Sequence, residues 1–150
     1  MATFVLVHGA WHGGWYWRDT AAALRAAGHT VHTPTHSGVG ERAHQSSEAI
    51  TLEPHICDVC GTIEMEEAHD IILCGHSDGG MVITGVADRV ADRIKALVYL
   101  DAFVPKDGDS LISLPQCEKA GGWSVVKMPI GHDVMVDMPK ELADELMKLV

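Results

Sequence analysis

Three short apolar runs, spaced widely enough for a helix to fit between them, constrain this chain more than any other feature. Residues 3–8 (TFVLVH), 70–75 (DIILCG) and 94–101 (IKALVYLD) are almost continuously hydrophobic. A strand with one wet face would alternate, so continuous runs of this length mark strands covered on both faces, as in a parallel sheet. Two weaker runs join them: 29–35, which alternates and meets Pro34, and 123–128 (WSVVKM). Helical segments fall between. Residues 17–27 contain AAALRAA and stop at Gly28, a natural residue just past a helix end. Residues 52–68 carry Pro54 in the first turn, where its missing N–H costs little. Residues 79–93 and 139–150 complete the set, with a broken helix expected at 109–120 and a glycine-containing loop at 37–47. The expected fold is a three-layer α/β sandwich around a mostly parallel five-stranded sheet, with strand order 2-1-3-4-5 if the last run pairs directly with residues 94–101.

Composition narrows the function classes. With 150 residues the chain is expected to be a single domain. Eleven basic against 21 acidic residues give a net charge of −10, which argues against a nucleic-acid or anionic-membrane partner. No apolar run approaches the roughly 20 residues needed to span a bilayer. The start of the sequence carries no secretory-signal pattern, so Cys57, Cys60, Cys74 and Cys117 are read as free thiols of a cytoplasmic protein. Cys57-x-x-Cys60 lies inside a helical segment with no second ligand pair at metal spacing, so no metal is expected.

In open parallel sheets the chemistry gathers at the carboxyl ends of the strands. There Gly75-His76-Ser77-Asp78-Gly79 fits G-x-S-x-G between a strand and a helix. Such a turn lifts the serine hydroxyl above the sheet and needs small residues on either side. The helix that follows aims N–H groups and its positive dipole end at the serine, which favours a developing oxyanion. The glycine-rich loop 8–14 (HGAWHGG) follows the first strand and offers a second backbone donor. Ala10 is the candidate, paired with the N–H of Asp78. That loop matches neither dinucleotide-binding nor P-loop spacing, and no flavin phosphate cradle follows the first strand, so no cofactor is expected. Trp11, Trp15, Tyr16 and Trp17 are available to line a pocket or pack the core. Trp11, His12 and Phe103 are the candidate substrate contacts. A serine nucleophile also needs a base. Of ten histidines, His132 stands directly after the last expected strand, whereas His76 is expected to point into the sheet.

FVLVHGAWHGGW, THSGVGER, GHSDGGMVITGVADR, ALVYLDAFVP and GHDVMVDMPKEL together resemble the α/β-hydrolase superfamily, and within it bacterial esterases related to plant methyl esterases and hydroxynitrile lyases. The resemblance covers about residues 2–114 and 121–150. It implies Ser77 as nucleophile, His132 as base, and Ala10 and Asp78 as backbone oxyanion donors.

The chain departs from that family in two ways. Relatives carry a helical cap after the segment matching ALVYLDAFVP, then a strand whose loop bears the catalytic acid; both are missing here, giving a reduced fold without a cap domain. Asp101, ending the strand beside the nucleophile strand, is the substitute acid, with a loop-bracing role as the other reading. Second, relatives have a larger uncharged residue at the position of Asp78, and a carboxylate there opposes an oxyanion. The expected function is a serine hydrolase acting on a small-molecule carboxylic or carbamic ester. The alternative is a catalytically silent hydrolase kept for binding. Hydroxynitrile lyase chemistry fits poorly, because Gly9 and Asp133 occupy the positions of its threonine and lysine. Losing a strand and cap would expose apolar surface that a homodimer could cover.

Overall fold

A computed structural model describes residues 1–106, 124, 126–129 and 131–150. Four parallel strands, β1 (Thr3–Val7), β2 (Thr30–His32), β3 (Ile71–His76) and β4 (Ile94–Leu100), form one sheet in the order β2-β1-β3-β4. The first four expected strands are therefore present, in the expected order. The fifth is a correction. Among the described residues the sheet ends at β4, and residues 124 and 126–128 adopt no strand. Pattern alone misled there: Met128 packs against the core as an irregular segment, while Val126 is 63% exposed. Trp123, Val125, Cys117 and the broken helix expected at 109–120 lie outside the described residues.

Period-2 alternation along the strands divides the core into two. Phe4, Leu6, Ile72 and Cys74 face the side covered by α1 (Arg18–Ala26), α4 (Val134–Asp137) and α5 (Pro139–Met147). Val5, Val7, Ile71 and Leu73 face α2 (Leu52–Met65) and α3 (Gly79–Arg89). Residues 4–7 and 71–74 are wholly buried, as continuous apolar runs require. Cys57 and Cys60 both lie on α2, in the helical setting expected of them.

The helix ends follow local chemistry. α1 stops where Gly28 takes φ +88°. Gly28 N–H donates to the carbonyl of Arg25 and His29 N–H to that of Leu24, so two carbonyls of the last turn are satisfied. α2 places Pro54 in its first turn. The short helix α4 was not expected from the sequence, since four residues carry too little periodicity to register. Registers Val7↔Gly75 and Gly75↔Tyr99 bring the ends of β1, β3 and β4 level. The residues that follow, 8–11, 77 and 101, therefore share one edge of the sheet.

Candidate active site

The turn after β3 is built by close approach. Ser77 has φ +54°, a left-handed conformation that non-glycine residues rarely adopt. A Cβ on Gly75 would stand 2.6 Å from the carbonyl oxygen of Gly79. One on Gly79 would stand 2.8 Å from the carbonyl oxygens of both Val7 and His8. Both glycines of G-x-S-x-G are thus required by backbone that has nowhere to go. The Ser77 carbonyl accepts from Gly80 N–H at 3.1 Å and from Phe103 N–H at 3.1 Å, which ties the strained turn to α3 and to the segment after β4.

The loop after β1 is held from below. His8 is wholly buried, and its Nδ1–H donates to the carbonyl of Gly9 at 2.7 Å, while its Nε2 accepts from His36 N–H at 3.1 Å. One nitrogen must donate and the other accept, so the ring is neutral; burial pushes its pKa down to about 4. In a trans peptide the C=O and the following N–H point opposite ways. Anchoring the Gly9 carbonyl on His8 therefore turns the Ala10 N–H away from His8. The next residue, Trp11, is 85% exposed at φ +63°. A Cβ on Gly9 would come within 3.0 Å of Ser77 Cβ, so glycine keeps the first loop close against the serine.

Asp101 follows β4 at φ +42°, and its Oδ2 lies 2.5 Å from His132 Nδ1. A carboxylate accepts, so Nδ1 carries the hydrogen and His132 Nε2 keeps its lone pair. Both side chains are partly open to solvent, 38% for His132 and 46% for Asp101.

A cleft of about 240 Å³ gathers most of these groups. Ser77, His132, Ala10, Trp11 and His12 all line it, together with Gly9, Tyr16, His76 and Asp133. Asp101 reaches it through His132. Phe103 is not among the lining residues; its backbone braces the turn instead, with its carbonyl 2.1 Å from a Cβ built on Gly80. Asp78 also stays off the lining and sits half-buried at the start of α3, where desolvation raises its carboxyl pKa against a weaker opposing pull from His55.

Three residues carry more of the site than the sequence suggested. Tyr16 stacks on His12 with ring centroids 3.9 Å apart, and burial, followed by the Asp133 carboxylate, pushes its phenol up to about 12. His36 packs between His8 and His55 at 4.1 and 4.7 Å, its pKa pushed down to about 2 by burial first and by the neighbouring rings next. His76 corrects an expectation: it does not turn into the sheet but lines the cleft, with Nε2 donating to the His132 carbonyl at 2.9 Å. Alternation along β3 was the available signal for His76, since Ile72, Cys74 and His76 share a face.

Comparison with known proteins identifies the family. Residues 4–128 match the family model described as "Alpha/beta hydrolase family". The chain is 44% identical to "Carbendazim hydrolyzing esterase" of Nocardioides sp., covering 99% of this chain and 100% of that protein. That alignment runs over 241 positions against a chain of 150 residues, so a long internal segment of the relative has no counterpart here. "Salicylic acid-binding protein 2" of Nicotiana tabacum is 38% identical over 68% of this chain, and the match spans only 40% of the tobacco protein. An extracellular α/β-hydrolase from a Paenibacillus species is similar in shape, at TM-score 0.68 and 44% identity, over 73% of this chain and 44% of its own. With a glycine-locked serine turn on a parallel sheet and a family match over most of its length, the chain belongs to the alpha/beta hydrolase family.

Proposed function

We propose that this chain is a serine hydrolase that cleaves a small carboxylic or carbamic ester through an acyl-enzyme. The observation that carries the reading is that Ser77, at its left-handed turn, and His132, with Nδ1 on Asp101, open on one cleft. Ser77 Oγ attacks the ester carbonyl, and His132 Nε2 takes the hydroxyl proton because Nδ1 is engaged. Asp101 holds the imidazole in that tautomer and stabilises it once charged. The N–H groups of Ala10 and Asp78 hold the tetrahedral oxyanion. The intermediate collapses, the C–O bond to the leaving group breaks, and His132 returns the proton to the departing alcohol. Water, deprotonated by His132, then attacks the acyl carbon and frees Ser77. Every proton is handled by these side chains, so the sequence of steps calls on no cofactor. Trp11 and His12 form a wall for the substrate, with Phe103 acting through the backbone of the turn.

The similarity to an esterase named for carbendazim supports the carbamic branch of this reading. A second reading, a hydrolase fold kept for binding, draws on Asp78: its desolvated carboxyl stands at the start of the helix that would stabilise the oxyanion. Covalent labelling with a fluorophosphonate separates the two. The wild-type chain is expected to take up one label per molecule and Ser77→Ala none. A folded wild-type chain that stays unlabelled defeats the hydrolase reading in favour of binding.

A further inference from the structure

His76 is neither nucleophile, base nor oxyanion donor, yet it is 1% exposed and lies against the residue proposed as base. Its position on β3 puts it on the face of Ile72 and Cys74, under α1 and α5. From that side residues 131–138 return over the sheet edge. The rings of His76 and His132 stand 4.4 Å apart, and His76 Nε2 meets the His132 carbonyl at 2.9 Å. A carbonyl only accepts, so Nε2 carries the hydrogen, and His76 Nδ1 keeps a lone pair buried against Gly9 with no partner among the described residues. Burial, together with the neighbouring His132, holds the ring neutral with its pKa pushed down to about 4. The donor role of Nε2 therefore persists across the neutral range.

His132 is thus gripped twice, by Asp101 at the side chain and by His76 at the main chain. After His132 the chain is fixed by Val134 and Met135, buried in the core, and by Thr20 Oγ1–H donating to the Met135 carbonyl; the side before it is more open. A Cβ on Gly131 would meet no atom within 4 Å, and residues 126–128 pair with no strand. We propose that His76 is a positioning residue, its Nε2–H clamping the His132 main chain so that the imidazole faces Ser77 without help from a flanking strand. This rests on the hydrolase reading for its kinetic consequence, though the clamp itself does not.

Three variants test it, each checked for folding by circular dichroism. Gln carries its amide nitrogen at the reach of Nε2; Asn carries one where Nδ1 stands, too short for the carbonyl; Leu carries no donor. Hydrogen–deuterium exchange over residues 131–138 is expected to quicken about tenfold in His76→Leu and His76→Asn, the scale of one lost buried hydrogen bond. His76→Gln should exchange near the wild-type rate. Fluorophosphonate labelling of Ser77 should follow the same order, slow in Leu and Asn and largely restored in Gln. Should His76→Leu fail to fold, the Asn and Gln pair carries the comparison. Wild-type exchange rates in His76→Leu and His76→Asn, or equal acceleration in all three, overturn the clamp. A wild-type chain that never labels sinks the hydrolase reading instead, and exchange still decides the role of His76.

Discussion

The two halves of the candidate site are held in different ways. Around Ser77 and Ala10 the parts are backbone, fixed by buried contacts: carbonyls packed against glycines, a wholly buried His8 under the first loop, strands with no exposed side chain. Around His132 and Asp101 the parts are side chains, both more than a third exposed, held by one hydrogen bond each way. The first half shares its atoms with the core, so a change there disturbs folding and function together. The second half hangs on polar contacts at the sheet edge, so its chemistry is separable from stability.

The sharpest way to break this contrast is at Gly75. Gly75→Val would drive a branched side chain into the backbone of Gly79, which has no rotamer to yield. A loss of about 4 kcal/mol is expected, enough to unfold a marginal domain, and thermal denaturation reads it directly. A melting temperature within a few degrees of wild type would mean the turn is looser than its geometry implies.

Acid should act next most strongly, and again on the buried side. His8, His36 and His76 all have folded pKa values lowered below the ordinary 6.5, by burial first, so the unfolded chain binds more protons as pH falls. Their contribution is fully present above pH 6.5 and is lost as pH drops towards 4, by about 3 kcal/mol for each of His8 and His76. Glu41, lowered by its hydrogen bond from Thr35, adds to the acid loss below about 4.5, whereas Asp78, raised by desolvation, opposes it. Urea unfolding at pH 7, 6, 5 and 4 measures the slope. A flat profile between 6.5 and 4 would show that these rings titrate as freely folded as unfolded.

Much of the buried half was legible in the sequence because it is made of pattern. Continuous apolar runs gave β1, β3 and β4, Gly28 ended α1, and the spacing of Gly75, Ser77 and Gly79 marked the turn. What could not be read was whatever depends on which side chain meets which. The run at 123–128 looks like a strand, but pairing requires a neighbour at the right register, and periodicity holds no information on that. His76 and His36 were passed over for the same reason: a histidine's role follows from what its ring meets, and the His132 carbonyl on His76 Nε2 and the His8 ring against His36 are 56 and 28 residues away. Asp101 was legible as a candidate through its position after β4, and His132 through its position between the run at 123–128 and the final helix; the distance between them was not.

Asp101→Asn probes the exposed half with the smallest disturbance. The side chain keeps its shape and sits at the surface, where an ion pair contributes about 0–1 kcal/mol, so unfolding should shift by less than that. Chemistry should respond more. An amide presents either oxygen or nitrogen to His132 Nδ1, and a donated N–H would force the imidazole into the tautomer with hydrogen on Nε2, unable to take the serine proton. Turnover of a small ester is expected to fall about a hundredfold, near 2.7 kcal/mol, with KM little changed because Asp101 is not part of the cleft wall. Stopped-flow hydrolysis and a melting curve on the same preparation give both numbers. Equal losses of stability and rate would erase the distinction between the two halves; an unchanged rate would return Asp101 to bracing the loop and leave His132 without its acid.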